Sequence, residues 1–171
     1  VIIEDKIRVN QSNPCHLSSI TSGKIVAISI SKKKGIPKTN IQSAKLIENF
    51  GIEGDIHGGD WHRQISFLAL ESIDKMRKMG LPNLRPGAFA ENLTTEFISI
   101  PNLNLGDVVR IGKDAELEIT QIGKECHTRC GIYYKIRDCV MPREGIFAKV
   151  IRGGEIFVND SVTVISNSNR H

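Results

Sequence analysis

The chain has 171 residues, 40% hydrophobic and 25% charged, which describes one globular domain with room for a core and excludes a disordered, collagenous or coiled-coil chain. Its net charge is +4, from 23 Lys and Arg against 19 Asp and Glu. That mild excess suits a small anionic ligand and excludes the dense basic stripe of a nucleic-acid binder, the nearest feature being Lys32-Lys33-Lys34.

Residues 1–22 contain the polar runs Asn10 to Pro14 and Ser18 to Ser22, and read as an N-terminal arm, an upstream strand or sequence foreign to the domain. Their early mixture of Glu4, Asp5, Lys6 and Arg8 is not the basic start and apolar run of a signal peptide. No run of about 18 apolar residues occurs, so no transmembrane helix and no membrane partner are expected. A cytoplasmic protein with reduced thiols is the expectation, because four cysteines, Cys15, Cys126, Cys130 and Cys139, are too few for a disulfide scaffold.

The globular pattern begins at Gly23. Lys24 to Ile30 is β-branched and partly alternating, a strand. Ser43 to Phe50 is a weaker strand, and Gln64 to Leu68 another. Glu71 to Met79 reads as a helix whose Ile73, Met76 and Met79 share one side, with Gly80 as its C-terminal cap and Pro82 stopping it. Val108 to Ile111 and Glu116 to Gln121 alternate and are joined as a hairpin by Gly112-Lys113-Asp114. Cys130 to Ile136 reads as a short helix. Ile146 to Ile151, Glu155 to Val158 and Ser161 to Ile165 read as closing strands, and 166–171 as a frayed polar tail. Short strands between turns, with one or two helices, predict a mainly β barrel or sandwich over 23–165.

Four clusters could carry chemistry. In Gly51 to Gln64, glycines alternate with Glu53, Asp55, His57, Asp60, His62 and Arg63. Glycines let a backbone approach a ligand and present N–H groups. The same composition also describes a loop held by its own Asp and His hydrogen bonds. In Pro86 to Thr95, Asn92 either donates to a ligand oxygen or satisfies a turn. In Gly123 to Cys130, Lys124, His127 and Arg129 surround Cys126. A thiol reacts as its thiolate, and cationic neighbours or a helix start favour that form, so Cys126 reads as reactive rather than as a buried structural cysteine. The spacing C-x3-C-x8-C is not the paired C-x2-C knuckle of structural zinc sites, so zinc is not expected. The fourth cluster, Met141 to Gly154, offers Arg143, Lys149 and Arg152 to an anion or simply to solvent.

Taken in order, these segments resemble the MOSC domain, named for the C-terminal domain of molybdenum cofactor sulfurases. The matching residues are Gly54-Asp55-x-His57-Gly58-Gly59 with Arg63-Gln64; Gly87-x-Phe89-x-Glu91-Asn92-Leu93-Thr94; Leu105-Gly106-Asp107 with Ile111-Gly112; Leu117 to Gln121 leading to Cys126; and Glu144 to Val150 with Gly153-Gly154 and Asp160. The likeness spans about 23–165 and is nearest to the small stand-alone bacterial members, some of which are associated with molybdopterin biosynthesis proteins. It implies a MOSC-type β-barrel-like fold with one or two short helices.

The resemblance also implies that Cys126 is the functional cysteine, either carrying sulfur as a persulfide or ligating the molybdenum of a bound molybdenum cofactor. Asp55, His57, Arg63, Asn92, Arg143 and Lys149 are then the candidates for holding substrate or cofactor, and Cys130 and Cys139 are candidate resolving thiols. One departure is Glu125, where the family often has proline. Nothing in this chain matches a pyridoxal phosphate domain, so a cysteine desulfurase or other donor would supply the sulfur. The acceptor would be the molybdenum cofactor or its acceptor enzyme. Three readings stand: a sulfur carrier, a cofactor-binding component of a reductase of N-hydroxylated compounds, and a non-enzymatic zinc-stabilised or partner-binding barrel.

Overall fold

Alternation in β8 places Ala115, Leu117 and Ile119 on one buried face, and the same rule holds along its neighbours. The computed structural model describes residues 22–98 and 103–165. The arm through residue 21, with Cys15, and the 166–171 tail lie outside them. The elements are β1 (Ser22–Ile30), β2 (Thr39–Ile41), β3 (Ser43–Ile47), β4 (Gly51–Ile52), β5 (Ile65–Ala69), α1 (Leu70–Lys78) and β6 (Leu93–Glu96). There follow β7 (Val108–Ile111), β8 (Ala115–Ile122), α2 (Gly131–Ile136), α3 (Met141–Glu144), β9 (Ile146–Arg152), β10 (Gly154–Phe157) and β11 (Ser161–Ile165).

Seven strands run in the order β11-β7-β8-β9-β5-β6-β1, and pairing of β1 with β11 closes them into a barrel. Closure removes the open sheet edges that would otherwise template association. Strand β2 extends the sheet from β1, and β10, β3 and β4 form a separate three-stranded sheet. That small sheet turns Leu46, Ile52 and Ile156 into the barrel core, beside Ile25, Phe67, Val109 and Val150. Each such side chain, fully removed from water, contributes roughly 1.5–3 kcal/mol before ordering costs.

Strand β5 is buried at all five positions, because it is covered on both faces. Ile65 and Phe67 point into the barrel core. Leu68 points outward and packs with Ile73 and Met76 of α1, Met141 of α3 and Phe147 of β9. Two apolar layers thus share one strand, and the outer layer supports the site described below.

The expected mainly β barrel is therefore present, with three short helices among the described residues. Several details differ from expectation. The single strand expected over 43–50 is broken at Asn49, whose φ of 55° turns the chain between β3 and β4. Strand β6 and helix α3 lie in segments that read as polar clusters. Helix α1 buries Ile73 and Met76 but leaves Met79 47% exposed. Each three-residue step falls about 60° short of a full helical turn, so Met79 sits about 120° round from Ile73.

Candidate functional site

The outward face of β5 and β9 carries Ser66 and Phe147, which are register partners. Over them lie the loop from Glu53 to Gln64 and the segment from Gly123 to Cys130. Between these layers is a pocket of about 370 Å³ lined by Lys38, His57, Trp61, Arg63, Asn92 and Cys126, among others. That volume lies within the range of small-ligand sites.

The loop is tied down at several points. Asp55 accepts hydrogen bonds from the backbone N–H of Ser31 at 2.9 Å, from Asn92 Nδ2 at 2.9 Å and from Lys38 Nζ at 3.1 Å. Trp61 Nε1 donates to the His57 carbonyl at 3.0 Å, and the Thr120 hydroxyl donates to the His62 carbonyl. His62 Nε2 stands 2.9 Å from Gln121 Oε1. The loop is thereby fixed to β1 on one side and β8 on the other.

The Cys126 segment is fixed differently. Gly123 N donates to the Gly145 carbonyl at 2.7 Å and Lys124 N to the Met141 carbonyl at 3.1 Å. Gly123 has a φ of +76°, and a Cβ there would strike the Pro142 carbonyl. Glycine is required at that position on both counts. Beyond it the chain reaches Cys126, which is exposed. The short helix expected over Cys130 to Ile136 is α2, with Cys130 as its N-cap. Cys126 therefore lies ahead of the helix start, separated from it by a bend at His127 and Thr128.

The pocket's charge is mixed with a cationic excess. Lys38 and Asp55 are buried and cancel one another, with 3% and 1% of their side chains exposed. Burial lowers the Lys38 pKa below the ordinary lysine value against the pull of Asp55. Burial also pushes Asp55 up, but its hydrogen bonds from Ser31, Asn92 and Lys38 outweigh that and hold the carboxyl below 3.8. Arg63 and Lys124 remain, against Glu125. The Arg63 guanidinium carbon lies 5.0 Å from the Trp61 ring centroid and 5.8 Å from that of Phe147, which holds its plane by cation–π contact. Arg63 Nε and His57 Nδ1 are buried without a hydrogen-bond partner. His57 Nδ1 is 3.5 Å from Asp55 Oδ1, too long for a good hydrogen bond.

Of the residues singled out in the sequence, His57, Arg63, Asn92 and Cys126 meet at this pocket. Asn92 lines it with its hydrogen-bonding capacity already spent. Its Oδ1 accepts from Ser66 N and Oγ, and its Nδ2 donates to Ser29 O and Asp55 Oδ2. Asn92 and Asp55 therefore clamp the pocket wall, with no donor free for a ligand. Arg143 and Lys149 stand elsewhere. Arg143 forks onto Asp138 at 3.0 Å, and Lys149 lies along β9 opposite Glu118. Cys130 and Cys139 join Cys126 in a second pocket of about 310 Å³ that adjoins the first at Glu125 and Cys126. Sequence reading missed Lys38, Trp61 and Phe147. A lysine in a polar loop carries no mark of the carboxylate that will bury it; Trp61, the lone tryptophan in a Gly-rich loop, did carry a signal. Among the described residues no group of three or more His, Cys, Asp or Glu is arranged to hold a metal ion.

Fold and site together define a closed β-barrel bearing an exposed thiol at a cationic pocket on its outer wall. The MOSC domain family model matches residues 53–163, and the chain belongs to that family. The YuaD protein of Bacillus subtilis shares the fold with a TM-score of 0.71 and 19% identity, over 84% of this chain and 95% of that one. YiiM of Geobacillus stearothermophilus follows at 0.65 and 19%, over 86% and 77%. YiiM of Escherichia coli gives 0.61 and 18%, over 86% and 72%. No curated protein matches the chain. No helix among the described residues is long and apolar enough to cross a membrane.

Proposed function

We propose that this protein is a sulfur carrier in which Cys126 holds sulfane sulfur as a persulfide and presents it to an anionic acceptor. The observation that carries the reading is the position of Cys126, an exposed thiol on the wall common to two pockets. One pocket offers cations to an acceptor and the other offers thiols. A carrier needs access for a donor on one side and for an acceptor on the other. Cys126 thiolate attacks the sulfane sulfur of a donor persulfide, such as that of a cysteine desulfurase, and the donor leaves as its thiolate. Arg63 and Lys124 then draw in an anionic acceptor, as expected of paired cations for phosphate. The protein is placed in the cytoplasm on this reading, where thiols stay reduced.

A second reading has its own support. Arg63 Nε is buried at the pocket with no partner, and Cys126 is a soft ligand. These residues fit a molybdenum cofactor, with Arg63 and Lys124 toward its phosphate and Cys126 toward its metal. Such a group would supply two-electron redox chemistry, as in a reductase of N-hydroxylated compounds.

Native mass spectrometry of anaerobically purified protein from a cofactor-producing host, beside Cys126→Ser, tests both. An added sulfur that is lost on reduction and absent from the variant is the expected result. An added molybdenum pterin establishes the second reading instead. Sulfur transfer by Cys126→Ser at the wild-type rate overturns the carrier.

A further inference from the structure

Three thiols from one stretch of the chain, Cys126, Cys130 and Cys139, line one pocket of about 310 Å³. The acceptor pocket uses only the first of them. Resting on the carrier reading, we infer that Cys130 is a resolving thiol that expels the Cys126 sulfur as sulfide, so that the protein delivers sulfur at the sulfide level.

The choice of Cys130 over Cys139 follows from exposure and backbone course. Cys130 is exposed, whereas Cys139 is half-buried and packs against the outer apolar layer with Leu84 and Ile136. The chain bends at His127 and Thr128, which turns the two ends of the C-x3-C segment toward the same pocket. Burial pushes the Cys139 thiol up, with the neighbouring cysteines adding to it. A protonated thiol is a poor attacker. Cys139 thus forms the apolar floor while Cys130 stands free at the head of α2, where its carbonyl accepts from Tyr134 N at 3.2 Å and its side chain makes no capping hydrogen bond.

The step balances without an outside oxidant. Cys130 loses its proton to water and its thiolate attacks Cys126 Sγ. A bond forms between the two cysteine sulfurs, and the bond from Cys126 Sγ to the outer sulfur breaks. The pair of electrons in that bond leaves with the outer sulfur, which departs as hydrosulfide. Sulfane sulfur is reduced by two electrons, and two thiol-level sulfurs become one disulfide. The next cycle requires a dithiol reductant, which takes up the disulfide by ordinary exchange and returns both thiols.

The test uses the full chain, reduced, desalted and loaded anaerobically with inorganic polysulfide. Intact mass, peptide mapping and released sulfide are followed over time for wild type, Cys130→Ser and Cys139→Ser. Wild type and Cys139→Ser are expected to gain one sulfur on Cys126, then lose it, release sulfide and end two hydrogens lighter than reduced protein, with a Cys126–Cys130 link. Cys130→Ser is expected to keep its sulfur and release sulfide roughly tenfold more slowly or worse, with dithiothreitol restoring release. Equal release by wild type and Cys130→Ser overturns the resolving step and leaves the carrier standing. A link from Cys126 to Cys139 overturns the assignment of Cys130. No sulfur on Cys126 in any variant overturns the step and the carrier reading together.

Discussion

The Lys38 ammonium meets Asp55 Oδ2 at 3.1 Å in the pocket wall, where only 3% and 1% of the two side chains are exposed. A buried pair of this kind gives little net stability against an apolar replacement, yet either partner alone is costly. Lys38→Met leaves an uncompensated carboxylate facing Asn92 and is expected to cost about 3–5 kcal/mol in urea unfolding. Adding Asp55→Asn should recover much of that loss. A single variant that costs below about 1 kcal/mol would mean that water reaches Asp55 in the folded protein.

The same carboxyl sets an acid limit. Its folded pKa lies below 3.8, so the stability it contributes is present above the unfolded value and is lost as pH falls through the folded one. Glu144, held below 4.5 against burial by hydrogen bonds from Lys75 and Ser72, acts in the same sense. Glu91 opposes them. Burial raises it above 4.5 despite the N–H groups of Gly87 and Phe89. Its folded state therefore holds a proton longer, and its contribution declines as pH rises through that raised value. Unfolding free energy should fall on acidification below about pH 4, with a shallower slope in Asp55→Asn. Urea titrations at stepped pH measure both limbs, and identical slopes would remove Asp55 from the account.

Gly123 fixes where Cys126 emerges. Gly123→Ala meets both a left-handed φ and the Pro142 carbonyl, so a loss of about 2 kcal/mol or more is expected. Because the clash falls on backbone, the segment must shift from α3 rather than rotate a side chain. The rate of Cys126 alkylation should change with it, measured by mass spectrometry in Cys130→Ser/Cys139→Ser so that only one pocket thiol reacts. An unchanged rate and unchanged stability would show that the segment holds its place without this glycine.

Much of the fold could be read from period-two patterning. Leu117 and Ile119 alternate with charges, and Gly112 marks their hairpin. Strand β6 escaped because Asn92, Thr94 and Thr95 look like turn residues but are buried. Ser66 satisfies Asn92 and Glu91 satisfies Thr94, while Thr95 Oγ1 is buried without a hydrogen-bond partner. The gathering of His57, Arg63 and Cys126 followed from the family pattern, since residues so far apart carry no local sign of contact. Arg143 was legible as an anion ligand only in composition. Its partner Asp138 precedes it by five residues, and the turn into α3 brings the two side chains together.

Arg63 gives the sharpest test of the pocket itself. Its guanidinium lies 5.0 Å from the ring of Trp61, the only tryptophan in the chain. Fluorescence on excitation of tryptophan therefore reports events around Trp61, on the Arg63 side of the pocket. Inorganic phosphate entering the pocket should change that emission saturably. Arg63→Met should weaken the phosphate response at least about tenfold, or roughly 1.4 kcal/mol. Arg63→Lys should recover only part of it, because an ammonium restores the charge but not the planar fork stacked between Trp61 and Phe147. Added salt should weaken the wild-type response too, since half-exposed charges are screened. Full recovery by lysine would reduce Arg63 to a point charge, and an unchanged response in Arg63→Met would move the anion to Lys124.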